Sequence, residues 1–238
     1  MTLKQTLSAG LVSAVMSVWG CAHMSPSPRP LKNEILTQSL SSKVIMFGEI
    51  HGRYTRDSNF VIGILPELKK QGYNYLALEM PRYTERIPER ESFIKSLVQY
   101  VDGEIIKEDI EPDDYYEISV FIAGWMDLID KARSLDMKIV HYDDDVRDIE
   151  FEIDNKREAI ASNNLKEQVF DKDPDAKMVV YCGAYHVSEE NNSIAGRDIT
   201  WLAQHLNNLT GNSVFTVSFA KARFSEIKAD LSINLGRL

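Results

Sequence analysis

Beyond its first twenty residues, this chain of 238 residues has no second long apolar run, no internal repeat and no low-complexity stretch. The remainder therefore offers no hydropathic membrane span and no solenoid or propeller period. Positive charge is in the minority: Lys and Arg number 27 against 36 Asp and Glu, a net charge of −9. An acidic chain without a basic stripe lacks the electrostatic footprint of a nucleic-acid binder, and no nucleic-acid partner is expected. Cysteine is scarce, with only Cys21 and Cys182. There is no cysteine cluster and no His-Glu-x-x-His, so no ready-made metal motif announces the chemistry.

What is present begins with a leader. Lys4 opens a short positive segment, and an apolar stretch follows from about Leu7 to Trp19, too short for a permanent span. It closes on Val18-Trp19-Gly20-Cys21. A small residue before a cysteine at this place resembles the lipobox of bacterial lipoproteins. The resemblance implies removal of residues 1–20 as a signal peptide, lipidation of Cys21 and a membrane partner reached through that lipid. Ala22 in place of a retention-type Asp implies the cell envelope's outer membrane, with the domain facing the periplasm. Residues 21–30, with three prolines and two serines, read as an extended tether. Residues 31–238 read as one domain, long enough to bury a sizeable core. With Cys21 lipidated, Cys182 has no disulfide partner and reads as a small buried hydrophobe.

Short β-branched and aromatic runs alternate with amphipathic segments. Strands are expected at 43–48, 73–80, 137–142, 177–182 and 213–220, with a further one in the tail. Helices are expected at 58–71, 88–101, 118–135, 146–170 and 198–209. The acidic run from Glu150 to Glu158 reads as an exposed helix face. This alternation predicts an α/β fold: a mostly parallel central sheet of about five or six strands with helices on both faces.

Two copies of Gly-x-x-His close two of these strands, Gly48-Glu49-Ile50-His51 and Gly183-Ala184-Tyr185-His186. In an open α/β sheet, ligands bind at the carboxyl ends of strands, so both histidines are placed at one rim. Glu79 ends the second strand there, and Asp143, Asp144 and Asp145 follow the third. His141 precedes them inside its strand and reads as a satisfied core histidine. Such a rim suits three chemistries. Glu49, His51 and His186 can ligate a divalent transition metal whose bound water attacks. A carboxylate can orient a histidine base without metal. A His or Tyr can ligate haem iron.

The ordered set, from Val44-Ile45-Met46-Phe47-Gly48-Glu49-Ile50-His51 through Leu76-Ala77-Leu78-Glu79-Met80, the helix 125–133, Arg157-Glu158-Ala159-Ile160-Ala161 and Val179 to His186, resembles the superfamily of ChaN-like haem-uptake, Tiki/TraB and erythromycin-esterase-like proteins. The resemblance implies that Glu49, His51, Glu79, Arg157 and His186 converge, with Arg157 directed inward. It leaves two outcomes open. One is a hydrolase of ester or peptide bonds, with or without a metal, acting on a small-molecule or peptide substrate. The other is a lipoprotein that binds haem and carries no catalysis; the resemblance implies a tyrosine ligand there, with Tyr54 and Tyr185 near the two motifs as candidates. Gly-Glu-Ile-His is closer to the ChaN-like and esterase patterns than to Tiki; the first outcome is favoured by the charge of the rim, the second by the leader and the resemblance to the ChaN-like branch.

Overall fold

A computed structural model describes residues 28–50, 55–81, 92–104, 110, 116–143, 155–194, 197–220 and 227–233. Strands β1 (Val44–Glu49), β2 (Tyr73–Pro81), β3 (Lys138–Asp143), β4 (Lys177–Gly183), β7 (Val214–Ser218) and β8 (Leu231–Ser232) form one sheet, and β5 (Asn192–Ile194) pairs with β6 (Arg197–Ile199) in a separate hairpin. The six-stranded sheet has the order β3-β2-β4-β1-β7-β8, and every neighbouring pair is parallel. The helices are α1 (Pro28–Gln38), α2 (Thr55–Lys70), α3 (Ser92–Asp102), α4 (Tyr116–Ser134), α5 (Asn155–Leu165) and α6 (Leu202–Thr210). The expected α/β architecture is what the chain adopts.

β1 explains why. All six of its residues are buried, because a parallel sheet is covered on both faces and its central strands cannot alternate apolar with polar. Ile45 and Phe47 pack into one cluster with α1, α2, α3 and α4. Val44 and Met46 pack into a second cluster with α5 and α6. Each such aliphatic or aromatic side chain contributes roughly 2 kcal/mol by leaving water. From β1 to β2 to β3 the chain steps one way across the sheet with its helices on the first face. From β3 to β4 to β7 it returns with its helices on the second, as a single crossover hand requires. Outgoing connections from β4 and from its neighbours β2 and β1 thus leave on opposite faces, and the carboxyl ends of these three strands are switch points.

Three differences from the sequence reading have simple causes. Helix α1 begins at Pro28, inside the stretch read as tether. Proline is tolerated in a first helical turn because that N–H has no acceptor there anyway. Leu31 and Ile35 bury against the sheet, and Lys32 Nζ donates to the Gly63 carbonyl on α2 at 2.9 Å. The helix expected from residue 198 begins at Leu202, since 197–199 belongs to the β5–β6 hairpin. In the segment 146–170, the described helix α5 passes at Leu165 into a wider π turn, Lys166–Phe170. That stretch delivers two side-chain amides to the outer strand of the sheet: Asn164 Nδ2 donates to the Tyr142 carbonyl and Gln168 Nε2 to the His141 carbonyl, each at 2.8 Å.

Candidate functional site

At the carboxyl end of β2, strand alternation turns Glu79 toward α5. One of its oxygens, Oε2, accepts the Gly183 N–H of neighbouring β4 at 2.8 Å. The other, Oε1, accepts from Arg157 at 2.7 Å and meets His186 Nε2 at 3.0 Å. Arg157, from the first turns of α5, also grips Asp143 at the end of β3 with two bonds, Nε to Oδ1 at 3.1 Å and a terminal nitrogen to Oδ2 at 2.6 Å. This fork-on-fork pairing suits a guanidinium and not an ammonium. Of Asp143, Asp144 and Asp145, Asp143 is the one that lies among the described residues, and it joins the site.

His186 lies in a single 3-10 turn, Ala184–Val187, directly after β4. Its second ring nitrogen, Nδ1, faces Glu158 Oε2 at 2.8 Å, and the same oxygen accepts the Leu202 N–H at the start of α6 at 2.9 Å. Trp201 packs edge-on against the ring at 6.2 Å. The turn can approach only because residue 48 is glycine: a Cβ there would sit 2.8 Å from Val187 Cγ2 and 2.9 Å from Ala184 Cα. His141, in contrast, pairs with Asp102 at 3.0 Å, away from this network, as a core histidine would.

The electrostatics follow from this geometry. Burial opposes a charge on His186, but Glu158 and Glu79 outweigh it and raise its pKa well above the ordinary value. Held between two carboxylates, the ring is an imidazolium in neutral solution. Burial raises Asp143 further than Arg157 lowers it. For Arg157, burial works against the charge, and its hydrogen bonds to Asp143 and its attraction to Glu79 more than restore it. Glu158 is 1% exposed, which corrects the reading of the 150–158 acidic run as a solvated face at this position.

Glu49 ends β1, and alternation turns it to the opposite face, toward α2 and α4. Trp125 Nε1 on α4 donates to one oxygen at 2.9 Å, and the Tyr181 hydroxyl on β4 donates to the other at 2.6 Å. Burial, then the charge of Glu49, pushes Asp57 in the first turn of α2 up to about 7. The same two influences raise the Tyr181 phenol. Glu79, Arg157 and His186 therefore converge as expected, joined by Asp143 and Glu158, while Glu49 stands across the sheet with Asp57. Tyr185 is half-buried and stacks on Trp201, ring centres 5.4 Å apart. His51, Tyr54, Asp144, Asp145 and Cys21 lie outside the described residues. Cys182 is fully buried, and burial raises its thiol pKa well above the ordinary value.

The expected metal set does not fit the described side chains. Both oxygens of Glu49 take neutral donors, both ring nitrogens of His186 meet carboxylates, and the two residues occupy opposite faces. Among the described residues, no group of three or more His, Cys, Asp or Glu is arranged to hold an ion. The charged rim around His186 is likewise no apolar wall for a porphyrin.

No family model and no curated protein matches the chain. Among solved structures it is similar to RRSP, a MARTX toxin effector domain from Vibrio vulnificus, at 17% identity over 84% of this chain and 37% of that one, with a TM-score of 0.49. It is similar to a bacterial protein toxin at 15% identity, over 84% of this chain and 38% of that one, with a TM-score of 0.50. A structure of cofacial haem binding to ChaN of Campylobacter jejuni matches at 12% identity, over 78% of this chain and 84% of that one, with a TM-score of 0.40. The chain spans less than two fifths of the length of the two toxin structures. At these identities the likeness of the second shows the fold alone.

Proposed function

We propose that this protein is an envelope lipoprotein that hydrolyses an ester or peptide bond at the carboxyl ends of β1, β2 and β4, without a metal. The observation that carries the reading is Glu79, which gathers Arg157, His186 and the Gly183 N–H onto one carboxylate. Two cations held beside each other in a poorly hydrated rim are what a developing oxyanion needs. His186, already protonated and steered by Glu158, then serves as the proton donor to the leaving oxygen or nitrogen rather than as the base. His51 takes a proton from the attacking water, the oxygen–carbon bond forms, and Arg157 steadies the negative oxygen until the leaving group departs with the proton from His186.

A second reading, haem binding without catalysis, is supported by the leader and by Gly-Glu-Ile-His, with Tyr54 and Tyr185 as candidate ligands. One experiment separates the two. The full chain in detergent is titrated with hemin and assayed against a panel of ester and peptide substrates. Turnover that falls by roughly 10²–10⁴-fold in Glu79→Gln and His186→Gln, with no saturable Soret shift, supports hydrolysis. A saturable Soret shift lost in Tyr54→Phe or Tyr185→Phe, with no turnover, overturns it in favour of haem.

A further inference from the structure

We propose that Tyr142 is a positioning residue for Glu79: its buried hydroxyl is a donor held in reserve for that carboxylate, engaged when His186 gives up the proton that faces it. This role rests on the hydrolytic reading above. Among the described residues, three buried side-chain atoms have no hydrogen-bond partner: Tyr142 Oη, Trp201 Nε1 and His205 Nε2. A buried polar group left unmatched lowers stability, so its presence calls for a reason. Trp201 Nε1 belongs to a rigid ring packed against Tyr185 and His186. The Tyr142 side chain is as deeply buried, with the residue 1% exposed, but a phenol proton turns about its own bond and can change partner.

Strand register places that hydroxyl. Leu78 of β2 lies opposite His141 of β3 on one side and Tyr181 of β4 on the other. One step further along, Tyr142, Glu79 and Cys182 form a row across the three strands. All three turn to the α5 face: Tyr142 and Cys182 pack in the second cluster, and Glu79 receives Arg157 from α5. Neighbouring strands lie about 4.8 Å apart, so Glu79 is flanked by the phenol and the thiol. The β2–β3 register then slips and resumes at Pro81–Asp143, which leaves Glu79 and Met80 together opposite Tyr142. Such a bulge re-aims side chains beside a site. Met80 goes into the first cluster, while Glu79 stays on the face of Tyr142. Asn164 Nδ2 pins the Tyr142 carbonyl at 2.8 Å. Cys182 is a weak acceptor, and its contact with the hydroxyl falls short of hydrogen-bond geometry. Burial, then Cys182, Glu79, Asp143 and Glu158, raises the phenol well above its ordinary value, so it keeps a proton to donate.

The reaction creates the opening. Glu79 Oε1 is shared by Arg157 at 2.7 Å and His186 Nε2 at 3.0 Å. When Nε2 passes its proton to the leaving group, a lone pair faces Oε1 in place of a donor, and the two acceptors repel. Glu158 keeps the remaining ring proton at Nδ1. A small lean of Glu79 toward β3 then brings it the Tyr142 hydroxyl in place of the lost bond. The exchange stabilises neutral His186 relative to its charged form, and so eases the proton transfer.

The test is carbon NMR of the full chain in detergent, with tyrosine labelled at Cζ and the Tyr142 signal identified by its absence in Tyr142→Phe. In His186→Ala, Glu79 has lost the histidine donor for good. The Tyr142 signal is expected to move downfield, as on donation to a carboxylate, and to move less when Glu79→Gln is added, because a neutral amide is a weaker acceptor. Kinetics supply the second readout. Tyr142→Phe removes only an unmatched hydroxyl, so its urea midpoint and KM are expected to stay at the wild-type values while kcat falls about ten-fold. An unmoved Tyr142 signal in His186→Ala, or an unchanged kcat in Tyr142→Phe, overturns the proposal. If His186→Ala does not fold, the kinetics of Tyr142→Phe decide. If the wild-type protein turns over no substrate, the hydrolytic reading fails, and the Tyr142 signal decides by itself: a downfield move upholds the reserve bond to Glu79, and no move overturns it.

Discussion

The two faces of the rim bury carboxylates by different means. On the α5 side, Glu79, Asp143 and Glu158 are matched by Arg157 and His186, and each of the three carboxylates meets at least one full positive charge. On the α2 and α4 side, Glu49 rests on an indole and a phenol, and burial and the charge of Glu49 push its neighbour Asp57 up to about 7. The first arrangement gains strong attraction and is damaged severely by the loss of one partner, because a buried charge remains. The second is built from neutral donors and tolerates loss better, but it resists any further negative charge.

The comparison is broken most sharply at Glu158. Glu158→Ala leaves the His186 imidazolium and the Leu202 N–H without their shared acceptor, and unfolding in urea is expected to show a loss of about 3–5 kcal/mol. The mirror test on the other face is pH-dependent. With Asp57 raised from 3.8 to about 7, the folded state keeps a proton that the unfolded chain gives up. Wild-type stability should therefore fall by about 2–4 kcal/mol relative to Asp57→Asn as pH rises across that window, and then run parallel to it. Parallel curves throughout would show that Asp57 titrates in the folded protein as it does in the unfolded chain.

A smaller effect is expected where the faces meet. Gly48→Ala places a methyl within 2.9 Å of the Ala184 backbone; it should cost about 1–3 kcal/mol and reduce turnover through displacement of His186. A change in the His186 imidazole NMR resonances reports that shift independently of activity. The smallest change is Trp125→Phe, which removes one neutral donor from Glu49. About 1 kcal/mol is expected by thermal unfolding, and a cost as large as that of Glu158→Ala would erase the distinction between the faces.

Most of the sheet was legible in the chain because buried parallel strands are apolar runs closed by glycine or charge. Glu79 and His186 were legible for the same reason. Glu158 was not, because a run of charges looks solvated when taken as a block. Spacing would have exposed it: Glu158, Ala161 and Leu165 recur at helical intervals on one buried face. Asp57 carries the same signature, with Val61, Ile64, Leu65 and Leu68 below it on the inner face of α2. A lone acid at the head of an apolar stripe is thus a recoverable signal. The separation of Glu49 from Glu79 was not recoverable, because it depends on how β1 and β2 register against β4, the strand inserted between them.

The position of β1 also governs when this molecule can come into being. Val44 lies opposite Met178 on one side and Val214 on the other, so the first described strand is completed by the fourth and the seventh. Closing such long loops is entropically expensive before any contact rewards it, and chains of this topology condense late. A nascent or threading chain that has delivered only its first hundred residues holds a central strand with both edges bare. Such an intermediate is exposed to chaperones and to mispairing until the segment beyond Val214 arrives. The order of strands in space thereby becomes a timetable, in which assembly waits for the carboxyl terminus.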